Sequence, residues 1–316
     1  AAAISATRRF FHMTAAHAFL LSAFYCVVGD ALSVQQAMAA AIDSLPPAQP
    51  PNASSEAYAT MWFGDPSGRA FDGLKAMIHS VRAHDVQRTF LILTLAVDLS
   101  AARAAAAPVL GDGRANPLRQ LAQSFGRVFL QPTPWYTIFK NLSVVCNPKS
   151  FTVTKGRACG GGGRYLYSYS KFALWGLTQF TRIFYIDADA LVLHPLDAMW
   201  TNLKLTGPLV LGASYTIKAN TQLEGSRYKE PRCGYGWKQY NAGVILVRPA
   251  DVIMYTVVRA LKIAERSPKN PCRSDQSNLN GLFRDHVHCM PHTFNCRDPV
   301  LQTRPNPADY IVRQSR

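Results

Sequence analysis

The stretch Phe184 to Trp200, FYIDADALVLHPLDAMW, constrains the fold more than any other part of this chain. Arg182-Ile183-Phe184-Tyr185-Ile186 is a short β-branched and aromatic run, which reads as a buried strand. It delivers Asp187 and Asp189 into the turn that follows, with small Ala188 between them. The carboxyl end of such a strand is where an open α/β sheet binds ligands. Two carboxylates one residue apart can meet one hard divalent cation, because Mg²⁺ and Mn²⁺ take oxygen ligands and keep positions for substrate phosphates. The pattern points to metal-assisted handling of a phosphorylated substrate. An isolated D-x-D is more often a polar turn after a strand; the apolar run before it and Leu191-Val192-Leu193 behind it favour the site.

The flanking sequence predicts alternating strands and helices. Tyr58 to Phe63 reads as a first strand, and Phe71, Leu74, Met77, Ile78 and Val81 recur at the spacing of one helical face. Thr89 to Val97 (TFLILTLAV) is apolar almost throughout, as expected of a parallel strand covered on both faces. Ser100 to Ala107 and Pro117 to Phe125 are candidate helices, and Arg127 to Leu130 a further strand. A long irregular segment then runs from Gln131 to about Tyr169. It contains Gly160 to Gly163, which lacks the spacing and the following Lys of a phosphate cradle and reads as a loop. A helix from Ser170 through Gln179 leads into the central strand.

The N-terminus carries a different signal. Arg8-Arg9 precede Phe10 to Gly29, an apolar run without Asp, Glu, Lys or Arg, about the 20 residues that span a bilayer. The flanking arginines predict a signal anchor with a cytoplasmic N-terminus and the remainder lumenal. A cleaved signal peptide ending near Gly29 or Ala31 is the competing reading. Either way the chain enters the secretory pathway, and the anchor reading makes it a single-pass type II protein, as in the Golgi membrane. Residues 31–56, with Leu45-Pro46-Pro47-Ala48-Gln49-Pro50-Pro51, read as a stem, its Ala-rich part helical and its proline part extended. The expected division is thus 1–30 anchor or signal peptide, 31–56 stem and 57–316 catalytic domain.

Six of the seven cysteines (Cys146, Cys159, Cys233, Cys272, Cys289 and Cys296) lie beyond the apolar run, and none forms a C-x-x-C pair. That disfavours metal fingers and agrees with disulfides in an oxidising compartment. Asn52-Ala53-Ser54 and Asn141-Leu142-Ser143 are sequons available to glycosylation there. The net charge of +15 comes from Lys and Arg scattered without basic runs, which fits an anionic ligand and disfavours nucleic acid.

Several motifs, in one order, carry a family resemblance. They are Tyr58-Ala59-Thr60-Met61, the block from Tyr169 to Trp200, Tyr240-Asn241-Ala242-Gly243-Val244-Ile245 and Ser274-Asp275-Gln276-Ser277-Asn278-Leu279-Asn280. Together, from about Tyr58 to Phe283, they resemble the glycogenin-like retaining glycosyltransferases, family 8 of the GT-A fold. The resemblance implies an α/β architecture: a Rossmann-like, mixed but mainly parallel sheet flanked by helices in one catalytic domain. It implies transfer of a sugar from a UDP-sugar to a glycan, protein or lipid acceptor, with Mn²⁺ or Mg²⁺ as cofactor. Tyr58, Thr60 and Met61 match the strand whose end meets the nucleotide base. Lys171 matches a lysine that helps hold the donor diphosphate, and Asp187, Ala188 and Asp189 match the donor-contacting turn with its metal-binding pair. Asn241 matches an asparagine facing the sugar, and Asp275 and Gln276 match residues beside the transferring sugar.

Two departures accompany the resemblance. The family's third metal ligand is a histidine in an H-F-x-G-x-x-K-P-W motif, which does not occur before Arg316; Asp309 to Arg313 resembles the strand that precedes it, with Arg313 at or near the histidine's place. The expectation is a C-terminus cut short or a protein that binds metal weakly. No match to the tyrosine that receives glucose in glycogenin is present, so self-glucosylation is not implied. Two other readings stay open: a transferase-shaped protein that binds nucleotide or glycan without turnover, and a haloacid-dehalogenase-like phosphatase with Asp187 as nucleophile. Against the latter, Leu191 stands where that family wants Thr or Val.

Overall fold

The computed structural model describes residues 33–47, 52–62, 69–94, 117–132, 168–203, 205, 211–215, 240–265, 275–284, 286–291, 294–295 and 311–313. The N-terminal apolar segment, Ser100 to Ala107, Gly160 to Gly163, the Asn141 sequon and five of the six cysteines beyond that segment lie outside them. Among the described residues no helix is long and apolar enough to cross a membrane.

The elements in chain order are α1 (Val34–Asp43), β1 (Glu56–Met61), α2 (Arg69–His84), β2 (Thr89–Thr94), α3 (Pro117–Ser124), β3 (Val128–Pro132), a 3-10 helix (Ser168–Gly176), β4 (Arg182–Ile186), β5 (Ala190–Val192), α4 (Asp197–Asn202), β6 (Leu211–Tyr215), β7 (Tyr240–Val247), α5 (Asp251–Glu265), α6 (Asp275–Leu282), β8 (Val287–Met290) and β9 (Ile311–Arg313). Seven strands form one sheet in the order β3-β2-β1-β4-β7-β6-β8, and β5 and β9 form a separate pair. Within the seven-stranded sheet β7 runs against both β4 and β6, while the sheet's other pairings, β1–β2, β1–β4, β2–β3 and β6–β8, are parallel. The sheet is therefore mixed and mainly parallel, as the apolar strand runs require.

The chain winds outward from β1 through β2 to β3, then returns to place β4 on the other flank of β1. Strand order reverses there, opening a crevice at the carboxyl ends of β1 and β4. The amino ends of the same two strands are fixed by charge. Glu56, fully buried, is the register partner of Arg182 and accepts from its Nε at 2.9 Å and from Arg88 Nε at 2.9 Å. A carboxylate so enclosed needs its partners to persist as a charge. One end of the β1–β4 pair is thereby fixed, and the other is left to ligands.

Both faces of the sheet are covered. On one, Phe71, Leu74, Met77, Ile78 and Val81 of α2 pack against Phe90, Ile92, Phe184 and Ile186. On the other, the 3-10 helix, α5 and α6 pack against Ala59, Leu93, Tyr185 and Ile245. Two sequence expectations are corrected here. The segment before β4 is a 3-10 helix ending at Gly176, not an α-helix to Gln179. Every residue from Tyr169 to Trp175 is buried, so no solvent face imposes a 3.6-residue period, and tertiary packing sets the tighter winding.

The second correction concerns the stem. α1 opens on a capping box, Ser33 with Gln36, and buries Met38 and Ile42 in the same core as the 3-10 helix and α5. Arg248 Nη2 also donates to the Pro46 carbonyl. The packed unit thus includes residues from Val34 onward, not only those after Ala57. Met38→Ala should destabilise the protein by about 2–5 kcal/mol, read from the midpoint of urea unfolding. A wild-type midpoint would mean that α1 lies outside the cooperative unit.

Candidate functional site

The site is built where β4 ends. Asp187 N donates to Gly243 O at 2.7 Å, carrying the β4–β7 ladder one residue beyond its last pair, and Ala190 N donates to Asp187 O at 3.1 Å to close the turn. This leaves Asp187 and Asp189 partly exposed above the sheet. A Cβ added to Gly73 of α2 would lie 3.4 Å from Ala188 O, so α2 supports the turn from beneath. β9 continues the arrangement: it runs antiparallel to β5, with position 313 opposite Ala190, next to Asp189. The tail strand read from sequence therefore does abut the acidic turn.

Lys171, on the 3-10 helix and 4% exposed, joins three segments. Its ammonium donates to Ala242 O at 2.7 Å on β7 and to Asp275 Oδ2 at 3.1 Å on α6, and lies 3.3 Å from Asp187 Oδ1 after β4. It also sits 4.7 Å from the ring centroid of Tyr185, whose hydroxyl donates to Asp187 Oδ1 at 2.6 Å. An ammonium has three protons, enough to serve all three oxygens. Lys171 is thus a tie between the two acidic motifs.

Asp275 is the first residue of α6, where the helix N-terminus favours a carboxylate. Capping and site roles coincide in it, because the same carboxylate meets Lys171. One turn on, Asn280 grips the start of β7 through Tyr240 N and Tyr240 O, the latter at 3.0 Å. Gln276 Oε1 accepts from Ala242 N at 3.4 Å. These bonds hold α6 beside Asn241, whose Oδ1 accepts from Gly243 N at 2.7 Å and from Asn295 Nδ2 at 3.0 Å.

The structure thus brings Lys171, Asp187, Asp189, Asn241, Asp275 and Gln276 to one end of the sheet, with Ala188 half-buried beneath. Two candidates on β1 are corrected. Tyr58 is 1% exposed, its hydroxyl donating to Asp85 Oδ2 at 3.1 Å and accepting from Trp200 Nε1 at 2.9 Å. Burial, with Asp85 adding to it, pushes its phenol well above the ordinary tyrosine range, which keeps it a donor. Thr60 is likewise fully enclosed. Strand alternation turns both into the face covered by α2, so neither reaches a base; Met61, half-buried at the end of β1, is left of the three.

Two residues escaped sequence reading. Tyr185 lies two positions before Asp187 on a strand, a period that puts both on one face; its aromatic context read only as core. Asn295 follows Phe294 in a short segment after β8 with no local pattern to mark it.

Asp187 and Asp275 share one ammonium, and Asp189 stands beside Asp187 in the same turn, so this end of the sheet gathers carboxylates around a single lysine. Among the described residues no three His, Cys, Asp or Glu side chains converge on a point. A hard cation held by two carboxylates and completed by substrate oxygens and water fits that donor set.

Comparison with known proteins bears on the family and the fold. The model of glycosyl transferase family 8 matches residues 125–312. Galactinol synthase 3 of Arabidopsis thaliana is 22% identical over 160 residues, 45% of this chain and 45% of that protein, so the match spans under half the length of that relative. The fold is similar to that of mouse xyloside xylosyltransferase 1 in its apo form, with a TM-score of 0.50 and 10% identity over 82% of this chain and 97% of that one. It is also similar to the apo-form glycosyltransferase GlyE of Streptococcus pneumoniae, with a TM-score of 0.50 and 14% identity over 83% of this chain and 55% of that one.

Proposed function

The chain belongs to glycosyl transferase family 8, and from that premise we propose that it transfers a sugar from a UDP-sugar to an acceptor with retention of anomeric configuration, assisted by Mn²⁺ or Mg²⁺. Membership makes it a glycosyltransferase using a nucleotide sugar and sets aside the phosphatase reading. The observation that carries the rest is the Asp187–Lys171–Asp275 tie at the carboxyl end of β4, beside β7 and α6.

Asp187 and Asp189 would hold the cation. When bound there it neutralises charge on the departing diphosphate, the main electrostatic demand of breaking the glycosidic bond. The chain's own residues prepare the rest. Lys171 offsets two carboxylates that would otherwise repel, and so keeps Asp275 directed at the site. Tyr185 orients Asp187 through its hydroxyl. Asn241 and Gln276 are neutral amides, suited to hydrogen-bonding sugar hydroxyls without adding charge beside the reacting carbon. The acceptor is a glycan, alone or on protein or lipid, and the location is the secretory pathway; the latter rests on Arg8-Arg9 and the apolar run after them.

Thermal unfolding with UDP, UDP-glucose and UDP-galactose, each with and without Mn²⁺, tests the reading. A nucleotide at 100 times its dissociation constant should raise the midpoint by about 5 °C, and the shift should require Mn²⁺. No shift with any of the three in Mn²⁺ would overturn the donor assignment.

A further inference from the structure

We propose that Asn295 is a donor-sugar residue: its amide nitrogen fixes the orientation of Asn241, and its amide oxygen accepts a hydroxyl of the transferring sugar. This rests on the UDP-sugar reading above and deepens it. Asn295 is 4% exposed. Its Nδ2 donates to Asn241 Oδ1 at 3.0 Å, while its Oδ1 is buried and has no hydrogen-bond partner among the described residues. Buried polar atoms in folded proteins almost always have partners, and an orphan needs a reason. Turning the amide over gives no relief, since it would set Oδ1 against Asn241 Oδ1, two acceptors face to face.

The location supplies the reason. Asn241 Oδ1 already accepts from Gly243 N at 2.7 Å, and Gly243 O takes the Asp187 amide at 2.7 Å. The orphaned oxygen therefore belongs to a side chain one hydrogen bond from the β7 turn that holds the acidic pair. The Asn295 oxygen then stands as a buried acceptor beside the Asn241 amide, suited to a sugar hydroxyl, which can give it a hydrogen bond. A site built to pair a hydroxyl discriminates strongly against ligands that lack it, because its buried polar groups would be left unpaired.

The test compares UDP with UDP-sugar, since a purely structural residue would affect both alike. Dissociation constants for UDP, UDP-glucose and UDP-galactose in Mn²⁺ would be measured by calorimetry on wild type, Asn295→Leu and Asn295→Asp. Leu has similar volume and removes both hydrogen-bonding atoms; Asp keeps an acceptor oxygen and removes the protons that hold Asn241. In Asn295→Leu, UDP affinity should stay within about twofold, while the affinity that the preferred sugar adds to UDP should fall about tenfold. Asn295→Asp should lose at least as much, because a carboxylate oxygen would face Asn241 Oδ1 with no proton between them. Equal losses for UDP and UDP-sugar, or an unchanged increment in both variants, would overturn the assignment and leave the donor reading standing. Failure of wild type to bind any of the three would instead overturn the donor reading, and this inference with it.

Discussion

Asp189→Asn should lower sugar transfer by about 10²- to 10³-fold. Asparagine keeps the size and the turn but removes one of the two carboxylates that the turn after β4 offers to a divalent cation. The loss should appear twice, as weaker Mn²⁺-dependent UDP binding and as slower turnover. UDP affinity in Mn²⁺ and turnover of the sugar nucleotide chosen by thermal unfolding are the quantities to measure. If both match wild type, the cation is not held by the turn after β4. Asp275→Asn makes a contrast, because this carboxylate meets Lys171 on the side of Asn241. Transfer should fall there while Mn²⁺-dependent UDP binding is largely kept.

Lys171→Met is expected to be the most damaging change to the fold at this end of the sheet. Methionine fills much of the volume but leaves the Asp275 carboxylate, on a residue 9% exposed, without the ammonium 3.1 Å away and removes the offset to Asp187 at 3.3 Å. Stripping one partner from a buried pair typically costs about 3–5 kcal/mol. Transfer should be lost too, because the ammonium that offsets Asp187 and holds Asp275 would be gone. Lys171→Arg separates charge from shape: it keeps the cation but cannot give three protons to three oxygens arranged around a point. It should recover much of the stability and little of the activity. A urea midpoint for Lys171→Met equal to that of wild type would show that the tie carries no energetic weight.

Much of the architecture was legible because it is local. β4 was readable to the residue, since a β-branched and aromatic run bounded by turn formers has few other solutions. The stripe Phe71 to Val81 and the apolar run from Thr89 likewise fixed α2 and β2, as periodicity reports which faces a segment buries. The acidic turn, Asn241 and α6 were found through motifs whose residues are close in sequence. The resemblance names Tyr58 and Thr60 on the strand whose end meets a base, but it does not say which way their side chains turn. Alternation sends both into the core under α2, where Trp200, far along the chain, donates to the Tyr58 hydroxyl.

What the sequence by itself determined is therefore most of the elements from β1 to β4 and the pair of carboxylates that ends β4, because strand and helix periods, turn residues and apolar runs act over a few neighbours. Only the tertiary structure decided the partners. Ala242 and Asp275 reach Lys171 from 71 and 104 residues along the chain, and Asn295 reaches Asn241 across 54. Such pairings are set by strand order and by the docking of α6 on β7. A lone lysine or asparagine carries no mark of them, since a polar side chain is read as solvated until burial removes its water and obliges it to find a partner.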